Sequence, residues 1–96
     1  MEKERTGGIV DPQVDEDTSI GLPFKVIIYN DDIHTFDEVI NQLIKAIGCS
    51  FDKAKKFAFT IHVKGQAIVY FGDLTACLKI TSVLEEIGLH TQILSE

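Results

Sequence analysis

Between Pro23 and Asn30 the chain runs through Phe24, Val26, Ile27, Ile28 and Tyr29, broken only by Lys25. These residues are β-branched or aromatic and nearly continuous, which predicts a buried strand. The run stops abruptly at Asn30-Asp31-Asp32, and five residues past Asn30 a helix start is written at Thr35. Thr35 can cap that helix, Glu38 completes a T-x-x-E capping box, and Asp37 adds favourable charge to the first turn. A buried strand therefore meets a helix N-terminus across a short polar loop carrying two adjacent carboxylates. That is a costly place for negative charge unless something positive is bound there.

The rest of the order follows from periodicity and stops. Val39, Ile40, Leu43, Ile44 and Ile47 recur at helical spacing, and Gly48 ends the first helix. A second helix is expected from the Ser50 cap to about His62, with Phe51, Ala54, Phe57, Ala58 and Ile61 as its apolar stripe. Lys53, Lys55 and Lys56 fall mostly on its wet side, and Lys64-Gly65 is the turn out. Gln66–Phe71 reads as a strand, and Gly72-Asp73 as a break and cap. A third helix should run from about Leu74 to Ile87, with Leu74, Cys77, Leu78, Thr81, Leu84 and Ile87 inward. Thr91–Leu94 is a last short strand. The fold class expected is α+β: a three-stranded antiparallel sheet packed on three helices, in the order β-α-α-β-α-β.

Ninety-six residues allow one small domain with a modest core. The formal charge of −6 is uneven. Residues 1–22 hold six acids and two bases (−4), leaving nine acids and seven bases (−2) for residues 23–96. Residues 1–22 thus read as a flexible acidic tail, and residues 23–96 as the folded domain. The nearly balanced domain offers no basic stripe to phosphates, which argues against nucleic acid. No apolar leader or membrane-length run is present in the sequence, and Cys49 and Cys77 form no CxxC pair, so a soluble, cytoplasmic protein with reduced thiols and no membrane partner is expected.

Asn30-Asp31-Asp32 reads locally as a turn, because Asn and Asp side chains hydrogen-bond the nearby backbone. Yet a turn needs only one of two mutually repelling carboxylates. A bound ammonium group would relieve the repulsion and can donate up to three hydrogen bonds. His62 reads either as a helix-end residue on the macrodipole or as an acceptor for such an amine. His34, His62 and His90 with Asp31 or Asp32 match no compact zinc spacing, so no metal and no cofactor are expected. Cys49 or Cys77 with His62 could form a thiol–imidazole pair, but both cysteines occupy ordinary structural places, and no enzyme is expected.

KVIIYNDDIHTF, the thirty-two-residue interval from Asn30 to His62, and HVKGQAIV together resemble ClpS, the bacterial adaptor of the Clp protease system. The resemblance runs from residue 23 to about 94. NDD followed by His-Thr-Phe is also similar to the ClpS-like domains of eukaryotic N-recognin ubiquitin ligases. It implies an adaptor that reads the free first residue of an N-degron substrate and delivers it to a ClpA- or ClpC-like AAA+ unfoldase–protease. Asn30 and His62 would accept from the α-amino group, Asp31 would hold the substrate backbone, and Asp32 would add negative field. The first side chain, expected to be Leu, Phe, Tyr or Trp, would enter a pocket lined by Ile28, Phe36, Val39, Ala58 and Ile61, with His34 at its mouth. A monomer is implied, with the tail taking part in delivery. The common pattern carries Thr-Pro-Met where this chain has His34-Thr35-Phe36, and a pocket Met where it has Ala58, so the pocket should be reshaped. The third helix lacks the charges with which common members touch the ATPase. A docking domain related in fold to the ribosomal stalk C-terminal domain is the alternative.

Overall fold

The computed structural model describes residues 24–95. The tail expected over residues 1–22 and the boundary at Pro23 lie outside the described residues. Three strands, β1 (Phe24–Tyr29), β2 (Gln66–Gly72) and β3 (His90–Ser95), form an antiparallel sheet with β1 in the middle. Helices α1 (Phe36–Ile47), α2 (Phe51–Lys64) and α3 (Leu74–Leu84) complete the order β-α-α-β-α-β, with a 3-10 turn at Glu85–Ile87 before β3.

The central place of β1 accounts for its unbroken apolar character. Val26 and Ile28 are fully buried against the helices. Ile27 points to the other face yet is only 4% exposed, because Ile68 and Gln92 flank it on the neighbouring strands. Burying each Val or Ile of this kind stabilises the fold by about 1.5–3 kcal/mol. The register of β1 on β2 slips at Val26/Ile27, where Val26 opposes Tyr70 and Ile27 opposes Ile68. Val69 is thus a bulge residue, and both Val69 and Tyr70 pack towards the helix side.

Each helix starts where its cap residue predicts. Thr35 Oγ1 accepts from the Glu38 amide at 3.1 Å while Glu38 Oε1 accepts from the Thr35 amide at 2.7 Å, closing the capping box. Ser50 and Asp73 cap α2 and α3 through the amides of Lys53 and Ala76. Gly48 and Gly65 end α1 and α2 with φ of 67° and 87°, a left-handed turn that favours glycine.

Four expectations are corrected here. α2 continues to Lys64 rather than stopping near His62, and α3 stops at Leu84, with Glu85–Ile87 tightening into the 3-10 turn. The inward face of α3 is Cys77, Ile80, Thr81 and Leu84; Leu74 and Leu78 are exposed, and so is Ile87 in the turn that follows. Apolar residues occur on nearly every side of this helix, so spacing alone does not single out the buried stripe. On α2, Phe51 is likewise exposed, whereas Ala54, Ala58 and Ile61 are buried as expected.

Candidate functional site

The site is assembled where β1 leaves the sheet. Tyr29 pairs with Gln66, and one residue further the Asn30 amide donates to the Gly65 carbonyl at 2.9 Å. Gly65 is the cap of α2, and His62 lies in its last turn. Strand pairing and a helix cap therefore set Asn30 beside His62 across thirty-two residues of sequence.

The loop from Asn30 to Thr35 is organised by Asp31. Its Oδ1 accepts from the amides of Ile33 and His34, both at 2.9 Å. Its Oδ2 lies 2.6 Å from His34 Nδ1, and His34 Nε2 meets the carbonyl oxygen of Ile87 in the 3-10 turn. The backbone amide of His34 and, secondarily, that of Ile33 and the imidazole hold the Asp31 carboxyl below its ordinary range, against the opposing effect of burial. The Ile87 carbonyl first, and the Asp31 carboxylate next, raise His34 above the ordinary imidazole value. The His34 side chain is only 8% exposed. It forms a wall of the site, packed beneath the loop, and not simply its mouth.

A cavity of about 360 Å³ opens at this point. Asn30, Asp31, Asp32 and His62 form its polar rim. His34, Thr35, Phe36, Val39, Ala58 and Ile61 form its walls. The structure thus brings nine of the ten residues singled out in the sequence to one concavity and adds Thr35, which sequence reasoning used only as a cap. Ile28 is the exception. It is fully buried and borders a small void of about 20 Å³, whose lining also includes Asn30, Asp31, His34, Val39 and Ile61 of the main cavity.

The rim is chemically asymmetric. Asp31 has both oxygens engaged within the loop, whereas Asn30, Asp32 and His62 are exposed and make no side-chain hydrogen bond among the described residues. Those three groups can accept from a donor entering the cavity. The Phe36 ring stands edge-on to His62, with centroids 6.3 Å apart. Its other side borders a second groove of about 610 Å³ along Asp52, Lys55, Lys56 and Phe59 of α2. Phe36 is thus the partition between the two concavities, and the small Ala58 leaves the room its ring requires.

No three His, Cys, Asp or Glu side chains among the described residues are grouped to share a metal ion. His90 packs at a tilt against Tyr29 instead, with centroids 4.9 Å apart. Cys77 is fully buried, and burial followed by the Asp73 charge raises its thiol above the ordinary value, which suppresses thiolate chemistry. No described helix is long and apolar enough to cross a membrane.

Residues 21–92 match the family of the ATP-dependent Clp protease adaptor protein ClpS. The chain belongs to the ClpS family. The solved structure of Agrobacterium tumefaciens ClpS2 bound to L-phenylalaninamide is similar with a TM-score of 0.68 at 25% identity, covering 76% of this chain and 95% of that one. A ClpS adapter protein from Nostoc is 44% identical over 50 residues, 51% of this chain and 52% of its own length. The human E3 ubiquitin-protein ligase UBR2 is 36% identical over 58 residues, 60% of this chain and 3% of that protein. The Drosophila melanogaster ligase UBR1 is 31% identical over 90 residues, 93% of this chain and 5% of that protein. The chain therefore spans about half the length of the cyanobacterial adaptor it matches and a small part of the ligases. ClpS is a family of adaptors.

Proposed function

We propose that this protein is an N-degron adaptor. It binds the free first residue of a substrate when that residue is Leu, Phe, Tyr or Trp, and delivers the substrate to a ClpA- or ClpC-like AAA+ unfoldase–protease. One observation carries the reading: three acceptors without a side-chain hydrogen bond among the described residues, Asn30, Asp32 and His62, ring a cavity whose walls include Phe36, Val39, Ala58 and Ile61. An α-ammonium group suits the rim because it combines one positive charge with three donors. The bulky side chain next to it suits the walls. L-phenylalaninamide, the ligand of the related ClpS2 structure, has this combination of a free amine and an aromatic side chain.

The magnitudes are sufficient. Burying a Leu- or Phe-sized side chain contributes about 1.5–3 kcal/mol, and each charge-assisted hydrogen bond about 1.5–3 kcal/mol. Two or three such bonds with one buried side chain sum to about 4.5–12 kcal/mol before association costs, so micromolar affinity, roughly −8 kcal/mol, draws on the upper end of that range. The protein would act as a monomer in the cytoplasm, handing on a bound chain without altering it.

The test is a titration with peptides differing only in the first residue, each with a free and an acetylated N-terminus. Acetylation removes the charge and two donors, so losing two rim bonds should weaken binding by about 3–6 kcal/mol, at least a hundredfold. Equal affinity for free and acetylated peptides would refute amine recognition. Delivery is tested separately, by degradation of a Phe-initiated reporter by purified unfoldase–protease with and without the protein.

A further inference from the structure

We infer that His34 is a positioning residue that holds the degron loop only while its imidazole carries both protons, so that the shape of the site is set by pH. The argument begins with acceptors. His34 Nδ1 faces a carboxylate oxygen of Asp31 and Nε2 faces the main-chain carbonyl of Ile87. A carbonyl oxygen has no proton to give. The Asp31 carboxylate already accepts two amide protons at Oδ1, which stabilises its ionised form. Each ring nitrogen must therefore supply its own proton, and a neutral imidazole has only one.

The imidazolium is a strut between distant parts of the chain. It ties the loop after β1 to the turn before β3, fifty-three residues away. The groups around it favour the charged form from each side. Asp31 on the loop touches it, Glu38 on α1 acts through space, and the 3-10 turn presents the Ile87 carbonyl. Glu85 and Glu86 on that turn are engaged elsewhere, by Thr91 and by Lys45 with Gln42. When His34 loses a proton, one nitrogen presents a lone pair to an acceptor oxygen. One of the two links must then open. Asp31 loses its counter-charge or the loop loses its tie to the turn, and Asn30 and Asp32, the neighbours of Asp31, lose their fixed placement.

The sign of the effect follows. His34 is raised in the folded protein, so its contribution is complete below the ordinary imidazole value and fades as pH rises through the raised one. The binding consequence rests on the degron reading, but the strut itself does not, and the experiment separates them. Long-range 1H–15N spectra of the free protein read the ring protons directly. His34 should show both nitrogens protonated at neutral pH, and the protection of the Ile33 and His34 amides against hydrogen exchange should fall as it titrates. In His34→Gln that protection should be low at every pH. A single proton on His34 at neutral pH, or amide protection indifferent to its titration, would overturn the strut. The binding arm compares the wild type with His34→Gln, using one Phe-initiated peptide, as a ratio of dissociation constants. That ratio cancels the titration of the peptide amine. It should be about tenfold at pH 6 and close towards one at alkaline pH. A ratio that stays constant with pH would overturn the positioning role even if the strut were present. A wild type that binds no N-terminal peptide would instead refute the degron reading, leaving the spectra and exchange to judge the strut.

Discussion

Replacing Ala58 by Met tests whether the Phe36–Ala58 pair sets the size of the first-residue pocket. Ala58 is 3% exposed on the face of α2 that meets Phe36 across the cavity. A Met side chain adds three heavy atoms at that point, in a space already bounded by the Phe36 ring. Phe36 is 38% exposed at the partition and can yield outward, so the domain should fold with little loss. The cavity should not keep its volume. Crowding of this kind costs about 1–3 kcal/mol when the occupant must fit a fixed space. That cost falls on the occupant needing the most room, so Ala58→Met should weaken peptides beginning with Phe or Trp by roughly five- to a hundredfold. Peptides beginning with Leu should change much less. Fluorescence anisotropy competition with peptides differing only at the first position reads the ratio, and a melting curve checks the fold. Adding Phe36→Met to Ala58→Met removes the crowding ring and should restore the Phe-to-Leu ratio towards the original. An unchanged ratio in Ala58→Met, or a shift towards Phe, would refute the assignment of this wall.

His62→Ala should weaken binding of a free N-terminus by about tenfold while leaving the melting temperature unchanged, since the ring is exposed and makes no hydrogen bond among the described residues. Asp31→Ala should lower stability by about 1–3 kcal/mol in urea unfolding, because it strips the Ile33 and His34 amides and the His34 ring of their acceptor. The Asp31 contribution is present above the ordinary carboxylate value and is lost as pH falls through its lowered one, so acid should narrow the gap between this variant and the wild type. Thr35→Ala opens the capping box and should cost about 1 kcal/mol in the same unfolding assay. Cys77 should resist iodoacetamide in the folded protein at neutral pH and react once urea unfolds it.

The parts of this structure legible in the sequence are those whose physics is local. β1 is written as an apolar run because it is buried on both faces, and α1 is written by a capping box at one end and a left-handed glycine at the other. The meeting of Asn30 with His62 follows once β1 and β2 pair, because the helix between them ends one residue before Gly65. The depth of His34 is not legible in the sequence, because its partner is a backbone carbonyl on a distant turn, and no residue type announces a carbonyl. The inward face of α3 is hidden for a different reason: its apolar residues surround the helix, and only docking on the sheet selects Cys77, Ile80, Thr81 and Leu84. The depth of Ile28 is not legible either, since alternation along a strand gives the face of a side chain but not the depth of what covers it.

The two adjacent carboxylates are resolved by different means. Asp31 is the turn residue: two amides and the His34 ring use its oxygens, and the neighbouring imidazolium balances its charge. Asp32 is the surplus, exposed on the cavity rim with no side-chain hydrogen bond among the described residues. The negative field left for a ligand is therefore close to that of one carboxylate, which one ammonium group can satisfy. A neutral His34 would leave two uncompensated carboxylates side by side and a loop tied at one end fewer. A free amine would then gain in attraction and lose in fit. Since hydrogen bonds weaken steeply with misalignment while the field of an exposed charge is screened by solvent, the loss of fit should win. Tight binding then belongs to the pH range in which His34 is charged, and it should fade as pH rises through the raised His34 value.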